Sequence, residues 1–181
     1  MIELLNMGWT SDRHTDLNNL LGLEILTQVR MRVLQKKSFY SQGTTRLVYS
    51  GAKFSDLAEL FNANDFPTSQ SLHDFYSVEP DILLFHHNKF KINSNGTLIA
   101  GYPDLVVEIW SEHNTEQEKR FKKMLYATSG ITEHWYLTQS DFYIERYLGT
   151  VALPQLHLSD VITTESGLVI DMRDLVKEWK V

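Results

Sequence analysis

Two acidic residues lie beside or within apolar runs that are typical of β-strands, so their charged side chains are unusual for their surroundings. Asp81 comes immediately before the apolar run 82–85, and Glu108 lies inside the apolar run 105–110. Carboxylates are disfavoured in β-strands, so their placement there indicates a functional site more than a structural one. If the two strands pair, the carboxylates of Asp81 and Glu108 converge at one edge of the sheet.

Two converging carboxylates suit a hard divalent cation. Mg²⁺ takes oxygen ligands and keeps several waters, so two carboxylates and a backbone carbonyl suffice to hold it. Such an ion activates water and stabilises the charge of an attacked phosphodiester. We therefore predict a Mg²⁺ site at Asp81 and Glu108, with Mn²⁺ as the alternative ion. Glu24, on a predicted helix, could complete the acidic cluster, or it could lie at a rim or pair with Arg30 or Arg32.

Lys122 is the candidate lysine, because the helix that carries it follows the run 105–110. It lies one helical turn from Glu118 and from Tyr126, so the three side chains share a face. A lysine beside the acids could orient the attacking water or neutralise charge in the transition state. The alternative is an ordinary helical ion pair between Glu118 and Lys122, worth only ~0.3–0.5 kcal/mol.

The periodicity of apolar residues predicts the elements that must position these side chains. A long helix from Asp16 to about Lys37 is apolar on two faces, so we expect it to be largely buried. Capping and stop signals predict a second helix over 115–129. The remaining predictions are strands at 44–49, 77–85, 105–110 and 168–170, a hairpin of 133–137 with 142–148, a loop at 86–100, and short helices at 55–61 and 174–179. This order predicts an α/β (α+β) fold with a mixed central sheet flanked by helices.

Length and composition narrow the class of protein. The 181 residues favour a single domain, 1–181, and the 43% hydrophobic fraction is typical of a globular chain. The sequence has no cysteine, which excludes a thiol nucleophile and a cysteine zinc site. No apolar stretch is long enough for a membrane span, and the N-terminus does not resemble a signal peptide, so we expect a cytoplasmic protein.

The charge balance bears on DNA as a partner. The formal net charge of −6 argues against a protein whose main task is gripping nucleic acid, although a local basic strip can coexist with an acidic total. The histidines lack metal-protease spacing, and no glycine pattern indicates a phosphate loop. Aromatic residues of the predicted hairpin (Trp135, Tyr136, Tyr143, Tyr147) could stack bases, fill a core or form a homodimer surface, and we predict a homodimer.

Several short motifs together resemble the Uma-two family. They are Pro80-Asp81, the run from Pro103 to Ser111, then Lys122 with Tyr126 and Gly130, and Glu133-His134-Trp135. The family belongs to the restriction-endonuclease-like superfamily, named for its PD-(D/E)XK motif. The resemblance covers residues 77–147, and residues 167–172 more weakly. Ser111-Glu112 departs from the family's Ser-Pro.

The resemblance implies a mixed sheet with the active site at one edge. It implies that Asp81 and Glu108 are metal-binding acids. The superfamily's lysine normally lies two residues after the second acid, where this chain has Trp110. Within the family the lysine lies on the following helix, at the position of Lys122. Glu24 would match the acid that the superfamily takes from its first helix. The resulting prediction is a Mg²⁺-dependent endonuclease that hydrolyses DNA. The alternatives are a non-catalytic binding or scaffold protein with a nuclease fold, and acids that serve only as structural partners of Lys122 and nearby arginines.

Overall fold

The structure is a computed structural model that describes residues 13–34, 39–43, 46–49, 76–86, 90–92, 98–138 and 142–173. Within these ranges the chain forms two helices, α1 (Arg13–Leu34) and α2 (Glu116–Thr128). The strands of the main sheet are β1 (Phe39–Gln42), β4 (Ile82–Phe85), β7 (Leu105–Trp110), β8 (Glu133–Thr138), β9 (Tyr143–Leu148), β10 (Val151–Ala152) and β11 (Leu156–His157). A four-stranded sheet contains β2 (Arg46–Tyr49), β3 (Tyr76–Val78), β5 (Phe90–Ile92) and β6 (Leu98–Gly101). A two-stranded sheet contains β12 (Val161–Thr163) and β13 (Val169–Asp171).

The main sheet has the order β1-β4-β7-β8-β9-β10, and β11 also pairs with β9. Its β7–β8 pair is parallel because α2 carries the chain back between them, and its other pairs are antiparallel. The four-stranded sheet has the order β3-β2-β6-β5, and β12 pairs with β13. The predicted α/β class with a mixed central sheet is confirmed. No helix in the described ranges is long and apolar enough to cross a membrane.

The two faces of β7 belong to different cores, as the alternation of its side chains predicts. Leu105, Val107 and Ile109 pack in a core with the α1 stripe Leu17, Leu21, Ile25 and Val29. Val106 and Trp110 pack on the other face, in a core that includes Leu125 and Tyr126 of α2. The helices α1 and α2 therefore cover opposite faces of the sheet, and Glu108 lies on the α2 face.

The first helix differs from its prediction at its start and in its burial. It begins at Arg13, ahead of the predicted start at Asp16. Among its described side chains, Leu17, Leu21, Ile25 and Val29 are fully buried along one stripe, whereas Leu23 is half exposed, so the helix is less buried than expected. Leu20, Leu26 and Val33 only border the core. Periodicity overestimated burial here because an apolar residue can remain at a surface at little cost.

The predicted strand 77–85 is two strands in different sheets. β3 ends at Val78, Glu79-Pro80 follows, and β4 begins at Ile82. Proline has no N–H to donate to a ladder, which explains the break at this point. The expected loop 86–100 contains β5 and β6, which pair with each other, and β1 was not foreseen. The predicted helices at 55–61 and 174–179 lie outside the described residues.

Candidate active site

The pairing of β4 with β7 brings the two candidate acids together. Their antiparallel register pairs Ile82 with Val107, and one further step sets Asp81 opposite Glu108. The backbone N–H of Ile109 donates to Asp81 Oδ2 at 2.7 Å, so the carboxylate extends the ladder by one position before β4 begins at Ile82. This bond fixes Asp81 at the start of the strand, on the face that carries Glu108.

Two donors from α2 hold the carboxylate of Glu108. Lys122 Nζ lies 2.8 Å from Oε2, and the Tyr126 hydroxyl donates to Oε1 at 2.5 Å. The Glu108 side chain is 3% exposed and that of Lys122 is 15% exposed. Lys122 and Tyr126 are four residues apart, so one face of α2 supplies both groups. The ammonium of Lys122 therefore points at the sheet, where its ion-pair partner is Glu108.

The local structure of α2 explains this placement. Thr115 caps the helix by accepting from the backbone N–H of Glu118 at 3.2 Å, as the capping-box pattern predicts. The helix ends with Ser129 as its C-cap, and Gly130 follows with φ of +77°. Glycine adopts this left-handed conformation without strain, so the predicted stop is confirmed.

Burial dominates the electrostatics of the site. It raises the pKa of Glu108 to about 7 from an ordinary value of 4.5, against the lowering effects of Lys122 and Tyr126, and the charge of Asp81 adds to the rise. Burial, together with the charge of Glu108, raises the pKa of Tyr126 well above its usual range. Tyr126 therefore remains protonated and keeps donating its hydrogen bond at neutral pH.

Two aromatic residues complete the surroundings of Glu108. The parallel register of β7 and β8 sets Tyr136 beside Glu108, and the Trp110 ring stacks on the Tyr136 ring at 5.4 Å with 7° between their planes. Lys122 Nζ lies 5.8 Å from the centroid of the Trp110 ring. The sequence predicted neither contact, although the alternation of β7 already put Trp110 on the face of Glu108.

Comparison with known proteins identifies the family of this chain. The model of the Uma2 family, described as "putative restriction endonuclease", matches residues 3–172. The chain belongs to the Uma2 family. The predicted resemblance is thus confirmed, and it extends well beyond the motifs of residues 77–147.

A solved structure shares the fold of this chain. A crystal structure of a "putative nuclease" from Anabaena variabilis has a TM-score of 0.62 and 14% identity, covering 91% of this chain and 82% of that chain. At this identity the likeness concerns the fold. The comparison with curated proteins found no match.

Glu24 occupies a different setting in this Uma2 chain. It lies on α1, which packs on the sheet face opposite the α2 face, and its carboxylate accepts from Gln28 Nε2 at 3.2 Å. Gln28 in turn bonds the backbone N–H and carbonyl of Val169 in β13. Glu24 is thus linked through Gln28 to β13. Asp81 and Lys122, by contrast, both lie beside Glu108.

The residues present fit a two-carboxylate site for a hard cation. In the described part of the chain, no group of three or more His, Asp or Glu side chains is arranged to hold a metal ion. Asp81 and Glu108 nevertheless offer oxygen donors. Burial is the main cause of the raised pKa of Glu108, and repulsion by the charge of Asp81 adds to it. A divalent cation that takes one or two carboxylates and keeps its waters relieves that repulsion. Asp81 and Glu108 would hold it.

The aromatic hairpin is mainly core. Trp135 and Tyr136 are buried, and Tyr143 is the exposed aromatic side chain among the four that the sequence singled out. The buried Glu133 explains part of this packing, since it accepts from Trp135 Nε1 at 2.6 Å and from Arg146 at 2.7 Å. Trp135 and Tyr136 thus do not supply the apolar surface that a homodimer through this hairpin would require.

Proposed function

We propose that this chain is a nuclease that hydrolyses DNA phosphodiester bonds with Mg²⁺ as its cofactor. The observation that carries the proposal is Glu108, a buried carboxylate opposite Asp81 that bonds Lys122 and Tyr126 at once. Two acids and a lysine at one strand end are the groups that phosphodiester hydrolysis uses. The description of the Uma2 family supports the same class of reaction.

Each residue has a distinct role in this proposal. Asp81 and Glu108 would hold the ion, which would supply Lewis-acid chemistry and neutralise charge on the phosphate. Lys122 places its ammonium beside the acids, where it stabilises the negative charge of the transition state and orients the attacking water. Tyr126 keeps Glu108 in one rotamer by its hydrogen bond to Oε1. Glu24 is an auxiliary acid in the sequence prediction, and its described contacts do not support that role.

The α2 helix supplies the cations that an acidic chain needs to approach DNA. Beyond its first turn it carries Lys119, Arg120, Lys122 and Lys123. Lys119 bonds Glu116 at 3.0 Å and Lys123 bonds Glu145, and both pairs lie at the surface. Surface ion pairs are weak, so these lysines can exchange their carboxylates for phosphates at little cost. We therefore expect Lys119, Arg120 and Lys123 to form the local basic strip with which a chain of net charge −6 approaches DNA.

The test is cleavage of plasmid DNA with Mg²⁺ or Mn²⁺. We expect Asp81→Asn and Glu108→Gln each to lower the rate by at least about 100-fold, since each removes a metal-binding charge. Glu116→Gln is the matched control, because it alters an exposed acid of α2 and should cleave like the wild type. Cleavage that survives in both Asp81→Asn and Glu108→Gln would refute the proposal.

A non-catalytic binding or scaffold role is the second candidate. The observation that favours it is the pairing of Glu108 with Lys122, which already compensates one of the two negative charges. Calorimetry separates the two candidates: a scaffold takes up no Mg²⁺, whereas a nuclease binds it and loses that binding in Asp81→Asn.

We also propose that the protein is a homodimer and that it is cytoplasmic. A homodimer is tested by light scattering at micromolar concentration, where a monomeric mass rules it out. A cytoplasmic location is tested by cell fractionation, and recovery of the protein in a membrane or extracellular fraction contradicts it.

A further inference from the structure

Trp110 lies two residues after Glu108 in β7, close to the ammonium of Lys122. Glu108 and Trp110 are neighbours on one face of β7, and Trp110 is buried there with 6% of its surface exposed. Its ring stacks on that of Tyr136 at 5.4 Å, and the planes differ by 7°. The orientation of the indole is therefore fixed by Tyr136 of the neighbouring strand and does not depend on Lys122.

Tyr136 is itself fixed by a hydrogen-bonded histidine. His134 Nε2 lies 2.8 Å from the carbonyl of Gly149, which can only accept, so this nitrogen carries the proton. The other ring nitrogen, Nδ1, lies 2.9 Å from the Tyr136 hydroxyl, which therefore donates to it. Burial lowers the pKa of His134, which keeps this neutral tautomer populated. The Tyr136 ring is thus a rigid support for Trp110.

Lys122 reaches the site on a flexible side chain that α2 alone does not fix. Its Nζ lies 2.8 Å from Glu108 Oε2 and 5.8 Å from the centre of the Trp110 ring. A cation within about 6 Å of an indole face is attracted to it, and more strongly when water is excluded. We propose that Trp110 is a positioning residue that holds the Lys122 ammonium at Glu108.

This inference rests on the proposed nuclease function for its kinetic consequence alone. Trp110→Met keeps an apolar side chain without a ring, and Trp110→Phe keeps a ring. We expect Trp110→Met to lower kcat roughly 10- to 100-fold with little change in KM, because misplacing a catalytic group by about 1 Å has effects of this size. Trp110→Phe should recover most of the loss. Equal losses in the two variants would overturn the proposal.

Lys122→Met distinguishes positioning from mere packing. In that background Trp110→Met should lower kcat no further, since the group that Trp110 positions is gone. A purely structural role predicts the same additional loss in both backgrounds, which would also overturn the proposal.

A readout without activity keeps the inference separate from the function. In metal-free protein, Trp110→Met should lower the thermal midpoint about 2 °C more when Lys122 is present than in Lys122→Met. Trp110→Phe in both backgrounds serves if Trp110→Met does not fold, with a smaller difference. Additive shifts would refute the contact. If the wild type cleaves no DNA but the shifts are non-additive, the nuclease proposal fails and the positioning of Lys122 stands.

Discussion

Glu108→Gln should remove a pH dependence of stability that is built into the site. Burial raises the pKa of Glu108 to about 7, whereas its ordinary value, expected in the unfolded chain, is 4.5. Between these values the folded chain holds a proton that the unfolded chain has already released. The free energy of unfolding therefore falls as the pH rises through this window, and the loss is complete above the folded pKa.

The size of the effect follows from the shift. Each pKa unit corresponds to 1.36 kcal/mol, so a rise from 4.5 to about 7 costs the ionised protein about 3 kcal/mol. Glutamine cannot ionise, but its side-chain oxygen can still accept the hydrogen bond from Tyr126. We expect Glu108→Gln to be less stable than the wild type, or equal to it, at pH 5, and to gain about 3 kcal/mol relative to the wild type by pH 8.

The assay is urea unfolding at pH 5 and pH 8 in the presence of a chelator, so that bound metal does not stabilise the folded state. The difference between variant and wild type cancels the titration of all other groups. Glu116→Gln is the control, since Glu116 is fully exposed and its replacement should change little between the two pH values. A stability difference for Glu108→Gln that is the same at pH 5 and pH 8 would refute the buried, proton-binding Glu108.

Three further predictions concern the surroundings of the site. Arg146→Met leaves the buried Glu133 without its cation, so urea unfolding should show a loss of about 3–5 kcal/mol; a loss below 1 kcal/mol would contradict the burial of that pair. Gly130→Ala should lower the free energy of unfolding by about 1–2 kcal/mol for its positive φ, and further because the new Cβ would lie 2.7 Å from the Tyr102 ring. Gly149→Ala is also at positive φ but has open space around it, so it should lose only the roughly 1–2 kcal/mol. Arg120→Gln should weaken DNA binding and reduce the slope of log K against log salt by about 0.9, and an unchanged slope would show that Arg120 meets no phosphate.

The sequence by itself determined the features that depend on neighbouring residues. Side chains alternate along any strand, so Glu108 and Trp110 had to share one face, and the cores confirm it. The N-terminal cap of α2 at Thr115 depends on a local hydrogen bond, and its end before Gly130 depends on a backbone φ that glycine adopts. Both could therefore be predicted from the sequence. Asp81 and Glu108 were recognisable as candidates because acids are unusual beside apolar strands.

Tertiary structure alone decided which of these features meet. Spacing along the helix offered Glu118 as the partner of Lys122, and only the packing of α2 on the sheet turned the ammonium toward Glu108. The opposition of Asp81 and Glu108 requires the antiparallel register of β4 and β7, which joins residues 27 positions apart in the chain. The stacking of Trp110 on Tyr136 likewise depends on a parallel pairing across α2. Such contacts depend on long-range pairing and burial, and no periodicity within one segment encodes them.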